Sequence, residues 1–242
     1  DGQVVGNLNL SPFFHWGRRI YLIANVAVNP NYRRRGIARA LTQAALKKSR
    51  RWRVHEVWLH VQDDNPAAIN LYTSMGFQPR IRRSTWNIAP KSLQGETPPG
   101  VRVTTRSRHN WKLQRKWLKQ NYPLDLRWHI PLKFQALKPG LWNKLYRFFA
   151  EIRVRHWAAL SKDRLLGVLT WQATHRHLDR LWLAASPETE EAALQAILPF
   201  IQREKYLRRP LSLDYPADRA VGILEMTGFE HQHTLIWMKV KS

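Results

Sequence analysis

The stretch Val26-Ala27-Val28-Asn29-Pro30-Asn31-Tyr32-Arg33-Arg34-Arg35-Gly36-Ile37-Ala38 changes its periodicity half-way through. Before it, RIYLIANVAV (19–28) is rich in branched apolar residues and reads as a strand. Asn29-Pro30-Asn31 breaks the run. After it, IARALTQAALKKSRR (37–51) places Ile37, Leu41, Ala44 and Ala45 at i, i+4, i+7 and i+8, the spacing of one helical face. A strand therefore turns tightly into a helix. The first amides of a helix lack intrahelical acceptors and sit at the positive end of its dipole, so they can cradle a phosphate. Gly36 and Ala38 keep side chains out of that space, and Arg33, Arg34, Arg35 and Arg39 add positive charge around it.

Working outward, HEVWLHV (55–61) reads as a strand, QDDNP as a turn and AAINLYTSM (67–75) as a short helix capped by Gly76. Strands follow around FQPRI and RRSTWNI. PKSLQGETPPG (90–100) has the composition of a linker with little that could pack. From Val101 the order of elements starts again: a strand, a basic helix HNWKLQRKWLKQNY, the helix LWNKLYRFFAEI, three strands, the helix EEAALQAILPFIQREK, then strand, short helix and strand. Shifted by 152 positions, LHVQDDNPAAINLYTSMGF lies on LSLDYPADRAVGILEMTGF without a gap, with Leu59 on Leu211 and Gly76-Phe77 on Gly228-Phe229. The chain is an internal duplication. The first copy lacks the leading elements of the second, and Asp1 rather than Met stands first, so the sequence is expected to start inside a longer chain.

Two patterns at the right distance from each other carry a family resemblance. Arg33, Gly36 and Ala38 fill an R/Q-x-x-G-x-G/A signature, and Asn65, Ala68, Tyr72, Gly76 and Phe77 fill N-x-x-A-x-x-x-Y-x-x-x-G-F. In both, the chain resembles the GCN5-related N-acetyltransferase (GNAT) superfamily, over about residues 1–90 and weakly over 101–242. The flanks are similar to those of peptide amine acetyltransferases. The resemblance implies an α/β fold of the three-layer α+β kind, with two mixed β-sheets flanked by helices and an N-terminally incomplete first copy. It implies a catalytic domain at 1–90, a linker at 91–100 and a degenerate copy at 101–242.

The same resemblance implies acetyl-CoA as co-substrate and a primary amine as acceptor. The cofactor's pantetheine arm would pair with the backbone of Val26, Ala27 and Val28. Its pyrophosphate would lie on the amides of residues 34–39, Arg34 and Ile37 among them. Asn65 would hydrogen-bond the cofactor, Ala68 would also belong to its binding site, and Tyr72 would protonate the departing thiolate. The family often supplies a Glu on the strand before the turn. Residues 20–28 contain no acid, and Asn25 stands where one is sought. Asn25 can order a water but cannot take a proton. Glu56, His60, Asp63 and Asp64 are the nearby alternatives for a base.

The second copy departs further. Aligned on Pro30 and Pro187, Arg33 to Gly36 meet Glu190-Glu191-Ala192-Ala193, while Asn65 meets Ala217 and Tyr72 meets Leu224. Carboxylates at a helix start suit the dipole but repel a pyrophosphate. One binding site per chain is expected.

Charge sets the remaining limits. Forty Lys and Arg against 17 Asp and Glu give +23, a field that attracts anions. Residues 1–90 hold 14 basic and 4 acidic side chains, residues 91–150 hold 13 and 2, and residues 151–242 hold 13 and 11. No nucleic-acid-reading motif accompanies the charge, so nucleic acid is expected as a non-specific partner only. A catalytically inactive acetyl-CoA sensor is the other alternative. The absence of Cys excludes disulfides, thiolate nucleophiles and cysteine metal sites. The pairs His175/His177 and His231/His233 read as surface histidines, and no metal is expected. No apolar run is long enough to span a bilayer, so no membrane partner is expected, and the expected location is the cytoplasm.

Overall fold

The computed structural model describes residues 2–241 apart from 176, 205 and 206. The chain divides into two compact units, Asp1–Arg83 with Thr234–Ser242, and Ser84–His233.

In unit 1, β1 (Gly6–His15) and β2 (Arg18–Val28) form an antiparallel hairpin. β1 runs through SPFFH to the hairpin turn at Trp16-Gly17. The helix α1 (Ile37–Arg51) returns the chain so that β3 (Glu56–Gln62) lies parallel to β2. α1 buries Thr42, Ala45 and Ser49, all small. Its two buried hydroxyls are satisfied within the helix, Thr42 donating to Ala38 O and Ser49 to Ala45 O, both at 2.8 Å. A small-residue face lets α1 lie close on the sheet. Gly6 shows how close: a Cβ there would stand 3.0 Å from Ala27 O and 3.1 Å from Ile37 Cγ2. The helix α2 (Pro66–Ser74) and the start of β4 (Gln78–Ile88) follow. Tyr21, Ile23, Val57, Leu59, Val61, Tyr72 and Phe77 make the core of this unit. A side chain such as Phe77, 1% exposed, contributes about 2–3 kcal/mol by leaving water.

Unit 2 repeats the plan with more strands. β5 (Val101–Thr105), β6 (Val154–Ser161), β7 (Arg164–Gln172) and β8 (Asp179–Ala185) are antiparallel neighbours, and β9 (Leu211–Pro216) is parallel to β8. Helices α3 (Trp111–Asn121) and α4 (Leu141–Phe149) lie between β5 and β6 in the chain, α5 (Glu190–Ile201) between β8 and β9, and α6 (Val221–Met226) before β10 (Glu230–Lys241). Residues 90–100 are not a loose tether: Pro90 is buried, and Leu93, 2% exposed, belongs to the core of this unit.

The last strands are exchanged. β10 pairs antiparallel with β3, Leu235 facing Gln62 through Lys241 facing Glu56, so the second copy's final strand lies in unit 1 between β3 and β4. β4 in turn neighbours β9. Each unit is completed by the closing strand of the other copy. The compact units therefore do not follow the order of the copies along the chain.

Candidate functional site

The turn between β2 and α1 is built around left-handed backbone. Pro30–Tyr32 form one 3-10 turn capped by the Asn29 side chain, which accepts from Asn31 N at 3.0 Å. Arg34 then takes φ 64°, and Gly36, the N-cap of α1, takes φ 78°. Left-handed residues at Arg34 and Gly36 fold the segment into a turn, and successive N–H groups of such a turn can form an anion-binding concavity. The first backbone hydrogen bond of the helix is Ala40 N to Gly36 O. Among the described residues no acceptor meets the amides of residues 34–39. A Cβ placed on Gly36 would meet nothing within 4 Å, so open space lies on that side.

The arginines around this turn are free of acids. Arg33 Nε donates to Val28 O at 3.4 Å, the Arg35 guanidinium lies 5.2 Å from the Tyr32 ring centre, and Arg39 Nη2 donates to Ser74 Oγ at 2.9 Å. Among the described residues none of Arg33, Arg34, Arg35 and Arg39 has a carboxylate partner. Concentrated positive charge with no internal counterion suits a polyanionic ligand.

Next to the turn, β2 and β3 part. Their ladder pairs Ile20 with Glu56 through Ile23 with Leu59, and no further. A bulge in β2 coincides with the parting: Asn7 faces Ala27 and Asn9 faces Ala24, so Asn25 and Val26 together oppose Leu8. Asn25 carries it at φ 52°, a conformation that Asn tolerates better than branched residues. Ala24–Val28 are thus paired on the β1 side and have no ladder partner on the β3 side. An extended amide-bearing ligand can add there as a strand. The role of Asn25 in this geometry is a backbone one, and the signal for it was an Asn within a branched apolar run.

α2 brings Tyr72 and Asn65 to unit 1. Tyr72 is 7% exposed, its ring edge-on to Phe77 with 6.0 Å between centres. Its hydroxyl makes no hydrogen bond among the described residues, and burial pushes its pKa up. It is a proton donor without a protein acceptor. Asn65 is the N-cap of α2, its Oδ1 accepting from Ala68 N at 3.0 Å. That acceptor is committed to the helix, which leaves the Nδ2 donors for a ligand.

Two of the candidate bases are committed elsewhere. Glu56 accepts from Trp58 Nε1 at 3.0 Å and pairs with Lys239 at 3.2 Å and Arg18 at 3.5 Å. Burial raises its pKa, but these donors and cations outweigh burial and hold it below the usual carboxylate range. Asp63 pairs with Arg82 at 2.9 Å. Asp64 is exposed. His60 stands one residue past the last β2–β3 pair, its ring 4.9 Å from that of Trp237.

Comparison with known proteins agrees with this geometry. Residues 1–77 match the acetyltransferase (GNAT) family. The N-terminal segment is thus similar to a GNAT domain. Over 61 residues the chain is 43% identical to the [ribosomal protein bS18]-alanine N-acetyltransferase of Escherichia coli, a match covering 25% of this chain and 41% of that protein. The chain therefore spans less than half of that relative. Along 98% of its length it superposes on a GCN5-related N-acetyltransferase from Sphaerobacter thermophilus, with TM-score 0.59, 13% identity and 76% of that chain covered. A tandem GNAT protein from the clavulanic acid biosynthesis pathway gives TM-score 0.53 and 19% identity over 99% of this chain and 80% of that one. These two likenesses establish the fold.

The second copy repeats the frame of unit 1 with the parting of its strands filled. The connection that runs through Asn29–Arg35 to Gly36 in unit 1 shrinks to Ser186–Glu188 before Thr189, the N-cap of α5. Glu190, 4% exposed, accepts from Tyr215 Oη at 2.6 Å and pairs with Arg219. β8 and β9 also part, after Leu181 and Leu213. There Asn121 Nδ2 donates to Ala185 O at 3.0 Å and to Tyr215 Oη at 3.0 Å, and Tyr122 Oη accepts from Leu183 N at 3.2 Å. The end of α3 thus occupies backbone that in unit 1 stays open. A sequence alignment on Pro30 and Pro187 showed the loss of charge but not this plug.

Proposed function

We propose that this chain is an N-acetyltransferase that binds acetyl-CoA in unit 1 and acetylates a primary amine. One coincidence carries the reading: the unpaired edge at Ala24–Val28 leads straight into the unbonded amides of residues 34–39, ringed by arginines without acidic partners. A ligand with an amide-bearing arm and a pyrophosphate fits both. The space beside Gly36 that a Cβ would enter supports the same fit.

Bound acetyl-CoA supplies a thioester. The backbone of Val26, Ala27 and Val28 holds the arm in register, and the amides of residues 34–39 with Arg33, Arg34, Arg35 and Arg39 hold the phosphates. Ile37 and Ala38 contribute amides without crowding them. Ala68 and the Asn65 amide border the arm. The acceptor nitrogen attacks the carbonyl carbon, and a C–N bond forms as the C–S bond breaks. The Tyr72 hydroxyl gives its proton to the sulfur and regains one from solvent, which takes the proton shed by the new amide nitrogen. The acceptor must arrive neutral, its proton leaving to water ordered near Asn25 or to His60. The cytoplasm remains the expected location.

The test is release of free thiol from acetyl-CoA in the presence of acceptors: a peptide beginning with Ala, prompted by the E. coli relative, a lysine peptide and small amines. One acceptor should raise release well above hydrolysis, and Tyr72→Phe should abolish most of the gain. A second reading is an acetyl-CoA sensor without turnover, favoured by the commitment of Glu56 and Asp63 to ion pairs. Binding with no acceptor-dependent release from any amine would select it.

A further inference from the structure

α4 wears its amphipathicity inside out. Leu141, Trp142, Leu145, Tyr146, Phe148 and Phe149 fall at i, i+1, i+4, i+5, i+7 and i+8, which gathers them on one broad face. All six are exposed, from 41% for Leu145 to 83% for Trp142 and 80% for Phe149. The polar side of the helix is the anchored one: Arg147 Nη1 donates to Ala136 O at 2.6 Å and to Lys138 O at 3.5 Å. A helix packed on its own core would show the reverse. So large an apolar patch on one short element marks an interaction surface.

The surrounding charge indicates the occupant. From Leu126 to Ala150 the sequence contains Arg127, Lys133, Lys138, Lys144 and Arg147 and no acid. Lys133, Lys138 and Lys144 are exposed, Lys144 on α4 itself. α3 adds Lys112, Arg115, Lys116 and Lys119, again with no acid. The partner must therefore offer both an apolar interior and dense negative charge. Trp and Tyr rings with Leu and Phe between them, rimmed by lysines, suit the boundary of an anionic bilayer.

We propose that α4 is an interfacial helix that lays this face into an anionic phospholipid surface, with Lys133, Lys138 and Lys144 at headgroup level. Among the described residues no helix is long and apolar enough to cross a membrane. An interfacial helix needs no such length, so the proposal departs from the sequence expectation of no membrane partner. Each lysine near the surface strengthens binding about fivefold, which makes attachment dependent on lipid charge and on salt.

Flotation with phosphatidylcholine vesicles, with and without phosphatidylglycerol, tests this. The protein should float with the mixed vesicles and little with phosphatidylcholine alone, less so at high salt. Trp142→Asp and Phe149→Asp should each weaken flotation about tenfold or more. Both positions lie outside the candidate site, so acetyl-CoA binding should be unchanged. Should the Asp variants fail to fold, the pair Lys138→Glu, Lys144→Glu decides, and it should lose the preference for anionic vesicles. Failure to float with either vesicle would overturn the proposal. So would Asp variants that float like the parent, since charge alone would then be acting. A parent that self-associates in sedimentation equilibrium through these residues, without vesicle binding, would assign the face to a second copy instead.

Discussion

Ile23 and Leu59 are the last residues to face each other across the parallel β2–β3 ladder. Past them the bulge at Asn25 bends β2 away, and the chain reaches Gly36 without another ladder partner on that side. In unit 2 the parting after Leu181 and Leu213 is instead filled by Asn121 and Tyr122. The same frame gives an open cleft once and a plugged one once.

Gly36 separates backbone cost from ligand clash. Its φ of 78° is left-handed, so Gly36→Ala should cost about 1 kcal/mol of stability in urea unfolding. The Ala methyl enters the space assigned to the phosphates and should weaken coenzyme A binding a few fold. Gly36→Glu extends a charge into the same space and should weaken binding at least about tenfold, or 1.4 kcal/mol. Equal affinity for folded Gly36→Glu would put the phosphate site elsewhere.

Tyr72→Phe should lower kcat by about 10²-fold with the acetyl-CoA Kd unchanged. The hydroxyl has no protein acceptor to leave unpaired, so folding should survive. Burial raises the Tyr72 pKa above its reference of 10.0, so the group keeps its proton across the neutral range. The pH–rate profile should therefore show no alkaline fall below pH about 10. Leu224 occupies the equivalent place in the second copy and is fully buried. Leu224→Met, close to it in volume, should leave turnover alone.

Much of this was legible because it is local. The helix expected at 37–51 is α1 residue for residue, and the glycine expected to end the next helix, Gly76, has φ 89°. The turn's glycine and arginines are consecutive residues, so their place at the start of α1 was read directly. What was missed depends on distant partners. The exchange of β4 and β10 and the pairing of Lys239 with Glu56 join residues far apart in the chain. So does the Asn121 plug, which reaches from α3 to β8. Asn65 illustrates a half-legible case: its motif position was clear, but not that its Oδ1 is spent on capping α2.

The plug should be a stability element and not a ligand site. Arg219→Ala would strand the Glu190 carboxylate, 4% exposed, with only the neutral Tyr215 hydroxyl left to donate to it. The loss should be about 3 kcal/mol in the unfolding of unit 2. Adding Glu190→Ala to Arg219→Ala should recover part of it, and acetyl-CoA affinity should not change in either variant. A double variant less stable than Arg219→Ala would contradict this reading of the pair.

His156 should make unit 2 acid-sensitive. Burial, then the nearby Arg106 and Arg147, lowers its pKa to about 3, and its Nδ1 lies 2.8 Å from Thr170 Oγ1. The folded pKa is below the unfolded 6.5, so the neutral ring favours folding above pH 6.5. That contribution drains away as pH falls from 6.5 toward 3. Thermal unfolding should show the decline, and His156→Gln should flatten it across this window.

Titration calorimetry of acetyl-CoA into the protein tests the central claim most directly. One site per chain is the predicted stoichiometry, abolished by Gly36→Glu and untouched by Arg219→Ala. Two equivalent sites, no binding, or a single site that survives Gly36→Glu would contradict it.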